Sequence, residues 1–183
     1  MGNNDRKRIW KLGKQASYRC YPGSKKEMQK AKKENKGISS KKIEKILNCC
    51  KSFIGCFPCD QLENLAINSF PCFIIVNTDH SGGQGLHWVV LRISSKSIEL
   101  FDPLGLILTN YLPFEILSFI QRFTVSRCFK FNVCYQPKDS ILCGFYCIAF
   151  IFLRQFCSFR TLLSYFSDKN LLQNEKSIIK FFK

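Results

Sequence analysis

The chain has little histidine, few acidic residues and no long apolar run. Each of these shortages limits the structures or functions that the chain could have. Only two histidines, His80 and His87, occur among 183 residues, so an imidazole base must be one of them. The longest apolar stretch near Cys143 ends at Arg154, which is too short to cross a bilayer and predicts no transmembrane helix. Residues 1–14 hold no apolar segment that would direct export, so we expect an intracellular protein without a signal peptide and without membrane contact.

Acidic residues are outnumbered by basic ones, and the imbalance is concentrated at the amino terminus. The chain has 28 Lys and Arg against 13 Asp and Glu, a net charge of +15. Residues 1–48 carry 15 of the basic and 4 of the acidic residues, a net charge of +11. We interpret residues 1–40 as a basic, flexible and largely extended arm that binds DNA without sequence preference. A nuclear import signal and a solvated tail with no partner are the alternatives.

Cysteine, in contrast, is abundant. Eleven cysteines in a chain without an export signal indicate a reducing compartment, and an odd number cannot pair completely. Most are therefore expected to be small buried apolar residues. The cluster between Cys49 and Cys59 includes a Cys-x2-Cys pair, but no second pair follows at the spacing of a structural zinc site, so we predict no metal.

Apolar periodicity predicts a mixed arrangement of strands and helices. Short apolar runs predict strands at 71–77, 86–93, 97–102 and 128–134. Helical spacing predicts helices at 40–50, 113–123 and 143–156, with two shorter helices after residue 159. The order predicts an α+β fold in which a small mixed sheet packs between helices, formed by residues 41–183.

Four residues on this framework could together perform nucleophilic chemistry. Cys143, in QPKDSILCGFYC, is predicted at a helix start, where the helix dipole and free N–H groups favour a thiolate and bind an oxyanion. His87 opens one strand of a predicted hairpin and Asp102 closes the other, so they should be neighbours, as base and orienting carboxylate. Gln136 precedes the cysteine and could donate to the oxyanion. Taken singly, each has an ordinary structural explanation, and for Cys143 that is burial in the core.

The motifs GGQGLHW, LFDPLG and QPKDSILCGFYC, in this order, resemble those of the adenovirus protease family, adenain. PCFIIVNTD resembles the strand before the histidine in that family, and the resemblance covers about residues 50–155. Adenovirus enzymes often have Glu at the position of Asp102. The Asp form is closer to proteases of ubiquitin-like modifiers and of virus-like DNA transposons.

The resemblance implies an adenain-type fold and a cysteine endopeptidase with His87, Asp102, Gln136 and Cys143 as catalytic residues. Its implied substrates are viral or transposon structural precursors, cut at Gly-containing sites inside the virion or host nucleus. The family also implies DNA as an activator, and we expect no other cofactor and a monomer. Cys128 is nearest to the family's peptide-pairing cysteine, but its spacing differs, so no peptide activator is assigned. A protease of ubiquitin-like modifiers and a non-enzymatic DNA-binding protein remain as alternatives.

Overall fold

A five-stranded mixed sheet forms the centre of the protein in the computed structural model, which describes residues 3–183. The strands are β1 (Phe53–Pro58), β2 (Cys72–Asn77), β3 (Trp88–Ile93), β4 (Ser97–Phe101) and β5 (Cys128–Lys130). They lie in the order β1-β2-β3-β4-β5, with β1 parallel to β2, β2–β3–β4 antiparallel, and β5 parallel to β4. The three antiparallel strands confirm the predicted hairpin.

Seven helices surround this sheet within the described residues. They are α1 (Asn3–Cys20), α2 (Ser24–Glu34), α3 (Ser40–Leu47), α4 (Phe114–Thr124), α5 (Cys143–Arg154), α6 (Phe159–Leu163) and α7 (Leu171–Phe181). The observed architecture confirms the predicted α+β class. None of the helices in residues 3–183 combines the length and the apolar character that crossing a bilayer needs.

Helices cover both faces of the sheet, which explains why β2 is a continuous apolar run. Its residues alternate between the two cores: Phe73 and Ile75 face α5, whereas Ile74 and Val76 face the core that contains α4. All six residues of β2 are buried. Helix α5 is buried from Cys143 to Leu153, so the nucleophile candidate begins the central helix of the larger core.

The chain differs from its predicted elements in three places. Helix α3 ends at Leu47, three residues before the predicted end. Strand β1 was not predicted, because an exposed Ile54 and the bulge near Gly55 break its alternation. Strand β5 ends at Lys130, four residues earlier than predicted.

The prediction of an extended amino-terminal arm is wrong in its secondary structure. Residues 3–34 form α1 and α2, and α1 packs along α5, with Ile9 and Trp10 against the core. Lysine and arginine have high helix propensity and leave the few apolar residues of α1 free to face α5. A disulfide between Cys20 and Cys49 links α1 to the end of α3. Whether residues 1–40 and 41–183 behave as separate domains stays a prediction.

Candidate active site

Side-chain hydrogen bonds hold the loop between β2 and β3 in a shape that places His87 at the edge of the sheet. Asn77 Oδ1 accepts hydrogen bonds from the N–H groups of Asp79 at 2.9 Å and Leu86 at 3.2 Å. Asp79 Oδ2 accepts from the N–H of Gly85 at 3.0 Å. The ends of the loop are thereby drawn together, and His87 emerges directly before β3.

His87 and Asp102 lie side by side, as the predicted hairpin requires. The antiparallel register pairs Val90 with Phe101, which brings the start of β3 next to the residues that follow β4. His87 Nε2 is 2.7 Å from Asp102 Oδ1. Their side chains are only 6% and 1% exposed, so this contact is shielded from water.

The Asp102 carboxylate is held by several neighbours at once. Its Oδ1 also accepts from the N–H of Leu104 at 2.9 Å, and its Oδ2 accepts from the N–H of Leu106 at 2.6 Å. Asn132 bonds to the backbone of Asp102 through both ends of its amide. Sequence reasoning missed Asn132, because its segment reads simply as a strand and nothing local shows that it reaches Asp102.

Cys143 is the first residue of α5, and its side chain lies close enough to His87 to raise the pKa of the imidazole. Its side chain is buried apart from 8% that opens into the cleft described below. As the first residue of a helix, it has a backbone N–H without an intrahelical acceptor. Because Asp102 occupies Nε2 of His87, Nδ1 is the ring nitrogen left to exchange a proton with the thiol.

The surroundings of His87 favour its charged form. Burial is the largest influence and by itself would lower the pKa, but hydrogen bonds and charge interactions with Asp102 and Cys143 outweigh it and raise the pKa of His87 to about 9. The ordinary histidine value is 6.5. The charged form of the imidazole is therefore favoured at neutral pH, next to the sulfur of Cys143.

Gln136 lies in the loop before α5, with its side chain 1% exposed. Its Nε2 donates to the carbonyl of Ser140 at 2.6 Å, and because a carbonyl only accepts, this contact fixes the orientation of the amide. A primary amide has a second N–H, which remains for another acceptor. Its Oε1 is buried with no hydrogen-bond partner among the described residues.

These residues border a cleft of about 700 Å³. Its lining comprises Asn77, Leu104, Gln136 and Cys143 together with parts of four segments: residues 36–40, 56–58, 79–88 (which include His87) and 138–141. The segment 36–40 joins α2 to α3, and Trp88 Nε1 donates to its Ile38 carbonyl at 3.1 Å. One wall of the cleft thus comes from the end of the basic amino-terminal region.

The other residues considered from the sequence are not part of the His87–Asp102–Cys143 group. His80 is exposed in the β2–β3 loop, with Nε2 3.1 Å from Glu115 Oε1, and so does not replace His87 beside Asp102. Cys128 is exposed at the start of β5. Within the cysteine cluster, Cys49 is bonded to Cys20, whereas Cys56 and Cys59 are free thiols.

The fold resembles that of a viral protease. The crystal structure of the ASFV pS273R protease superimposes with a TM-score of 0.54 over 80% of this chain and 66% of that chain, at 17% identity. At this identity the similarity shows the fold alone. Fold and site together thus define an α+β protein of the adenain type, with a thiol, an imidazole and a carboxylate brought together at one cleft.

Sequence comparison identifies the family. The model of the adenovirus endoprotease family matches residues 53–177. A protease of Bovine adenovirus 7 is 27% identical, covering 80% of this chain and 86% of its own length. A protease of Snake adenovirus serotype 1 is 30% identical over 61% of each chain. The chain spans less than two thirds of the snake adenovirus protein and of the pS273R chain. It belongs to the adenovirus endoprotease family.

Proposed function

We propose that this protein is a cysteine endopeptidase with Cys143 as nucleophile, His87 as general acid and base, Asp102 as the group that orients the imidazole, and Gln136 in the oxyanion hole. The single observation that carries the proposal is the position of His87. Its ring bonds to Asp102 and interacts with Cys143, and both His87 and Cys143 line an open cleft. A nucleophile, a base and an orienting group in this order are what acyl transfer requires.

The first half of the reaction forms an acyl enzyme. The thiolate of Cys143, paired with the imidazolium of His87, attacks the peptide carbonyl carbon, so that a C–S bond forms and the carbonyl oxygen becomes anionic. When this intermediate collapses, the C–N bond breaks and His87 gives its Nδ1 proton to the leaving amine. Asp102 holds the ring through Nε2 so that Nδ1 keeps facing the sulfur during this transfer.

In the second half, water attacks the thioester while His87 accepts its proton. The C–S bond then breaks, the carboxylic product leaves, and the proton stays on His87 beside the Cys143 thiolate. Both tetrahedral intermediates carry an oxyanion that the N–H of Cys143 and the second N–H of Gln136 can bind. Loss of one such hydrogen-bond donor raises the activation free energy by about 3 kcal/mol.

The proposed substrates are viral structural precursors cut at Gly-containing sites. Family membership supports this choice, and so do the Trp88 and Ile38 side chains that border the cleft near Cys143, since they restrict the bulk that fits there. The proposed places of action are the virion and the infected cell, including its nucleus. A protease of ubiquitin-like modifiers would use the same four residues on a different substrate.

The decisive experiment compares wild type with Cys143→Ala on a library of Gly-Gly and Gly-x-Gly peptides and on ubiquitin-like fusions. We expect cleavage of the peptides by wild type only, and alkylation of a single fast-reacting thiol that disappears with Cys143→Ala. Cys128→Ser is the matched control because Cys128 is exposed and remote from the cleft lining. Cleavage of neither substrate class by wild type would reject the enzyme, and a preference for modifier fusions would select the alternative substrate.

We also propose that DNA assists the enzyme through the basic face of α1. Arg6, Lys7, Lys11 and Lys14 of this helix and Lys180 surround a hollow of about 400 Å³. Trp10 and Tyr165 line the same hollow, 5.6 Å apart between ring centroids. Clustered cations suit phosphates, and half-buried aromatic rings next to them can still present an edge or face to the bases of single strands.

Salt dependence tests this proposal. Exchanging Lys7, Lys11 and Lys14 for Gln should weaken binding to duplex DNA and lower the slope of log affinity against log salt by about one for each phosphate that the helix no longer neutralises. Lys30→Gln, on the exposed face of α2, is the control and should leave the slope nearly unchanged. An unchanged slope in the triple variant would remove α1 from DNA binding, and peptide cleavage unaffected by DNA in the wild type would remove the assisting role.

A further inference from the structure

Cys59, His80 and Glu115 form a cluster next to the active-site cleft that the proposed chemistry does not use. Cys59 lies in a short 3-10 turn after β1, His80 in the β2–β3 loop, and Glu115 in the first turn of α4. Their thiol, imidazole and carboxylate atoms all lie within 4.8 Å of one another. Three separate elements therefore bring three different metal-ligating groups to one point.

We propose that these three residues bind a zinc ion. Thiolate, imidazole and carboxylate are all zinc ligands, and three protein ligands plus one water complete a tetrahedron. Tetrahedral bonds of the usual lengths put ligand atoms roughly 3.5 Å apart. His80 Nε2 and Glu115 Oε1 are already 3.1 Å apart, so only modest closure toward the sulfur is needed.

The electrostatic setting also suits a cation. The Cys59 side chain is fully buried, and the carboxylates of Glu115 and of Asp60 in the same turn supply negative charge around it. Zinc would replace the thiol proton, which passes to solvent. His80 and Glu115 side chains are 63% and 34% exposed, which leaves an open path for the ion.

A zinc ion here would fix one wall of the cleft. The loop is already attached to the turn by hydrogen bonds from Cys59 N–H to the Asp79 carbonyl at 3.2 Å and from Ser81 N–H to Asp60 Oδ1 at 2.9 Å. His80 and Ser81 belong to the stretch 79–88 that lines the cleft and contains His87. Coordination would add a connection from this loop to α4 and make the loop more rigid. The site is independent of the proposed peptidase activity, and its test needs no turnover.

The test uses the full chain carrying Cys143→Ala, so that the Cys143–His87 pair cannot compete for the metal. Titration calorimetry should show one equivalent of Zn²⁺, and Co²⁺ should give a tetrahedral spectrum with one thiolate charge-transfer band. Adding His80→Ala removes a direct ligand and should lower the affinity for zinc at least about 100-fold. Replacing a residue that only supports a ligand already lowers metal affinity roughly 10–100-fold. Cys59→Ser should abolish the charge-transfer band. Zn²⁺ should also slow amide exchange in residues 78–86.

Two controls separate this site from the other thiols. Cys128→Ser removes an exposed thiol outside the cluster and should change nothing. Cys50→Ser tests the second group of neighbouring cysteines, Cys20, Cys49 and Cys50. The proposal is overturned if no stoichiometric binding occurs, or if binding survives His80→Ala and Cys59→Ser but is lost with Cys50→Ser.

Discussion

Asn132 holds Asp102 by a pair of backbone hydrogen bonds that close a ring between the two residues. Asn132 Oδ1 accepts from the Asp102 N–H at 2.8 Å, and Asn132 Nδ2 donates to the Asp102 carbonyl at 2.6 Å. The residues are 30 positions apart, and both are almost completely buried. The backbone of the residue whose carboxylate bonds to His87 is therefore held in place by the Asn132 side chain, which does not itself line the cleft.

Replacing Asn132 with Ala should lower kcat by roughly 10–100-fold and leave KM nearly unchanged. Asn132 positions Asp102 without lining the cleft, and small displacements of a catalytic group cost up to about 100-fold. Peptide kinetics would measure both constants. Asn170→Ala removes the N-cap of α7 and costs about 1 kcal/mol of stability, so it controls for destabilisation away from the site. Equal loss of kcat in both variants would contradict the positioning role.

In the mechanism that we propose, the imidazolium of His87 protonates the leaving amine, so the alkaline limit of kcat/KM should fall near pH 9. The pKa of His87 is raised to about 9, so the charged form is present below that pH and is lost as the pH rises through it. Asp102→Asn removes one of the interactions that raise this pKa, and the limit should move to lower pH. A pH–rate profile of each variant is the measurement.

Glu63→Gln is the control for that profile, since it also removes a carboxylate but lies on the exposed surface. It should leave the alkaline limit in place. A limit that stays near pH 9 in Asp102→Asn would show that His87 is not the group observed.

Gly105, in the DPLG motif, should tolerate alanine much less than Gly82. Both have a positive φ, +65° and +88°, which costs any L side chain about 1–3 kcal/mol. A Cβ on Gly105 would also lie 2.6 Å from the backbone nitrogen of Cys134, whereas a Cβ on Gly82 meets nothing within 4 Å. Urea unfolding should therefore show a loss from Gly105→Ala that exceeds that from Gly82→Ala by about 1–3 kcal/mol. Equal losses would show that the backbone conformation alone demands glycine at both sites.

The sequence predicted those parts of the site that follow from local pattern. The approach of His87 to Asp102 followed from a two-stranded hairpin, since antiparallel pairing brings the start of one strand to the end of the next. The position of Cys143 followed from the change from a polar loop to a dense apolar helix. Asn132 could not be found in this way, because its contact with Asp102 depends on where β5 leaves the sheet.

The amino-terminal region shows a different reason why prediction from the sequence failed. Charge density in residues 1–40 suggested a mobile arm, although lysine and arginine are good helix formers and a helix needs only a narrow apolar stripe to pack. Gly13 of α1 lies so close to Leu153 of α5 that an added Cβ would come within 2.8 Å of it. Such a tertiary contact supplies the stability that the local composition does not indicate.

Trp10→Ala should distinguish a packed amino-terminal helix from a mobile arm. The Trp10 ring lies edge-on to Phe181, with centroids 5.1 Å apart, and is half-buried against the core. Its truncation should therefore reduce the free energy of unfolding by about 1–3 kcal/mol, less than a fully buried aromatic residue would. Urea unfolding followed by circular dichroism is the measurement, with the neighbouring, exposed Lys11→Ala expected to stay within about 0.5 kcal/mol. If Trp10→Ala changes stability no more than Lys11→Ala does, α1 is not docked on α5, and the basic region acts as the independent arm that its composition suggested.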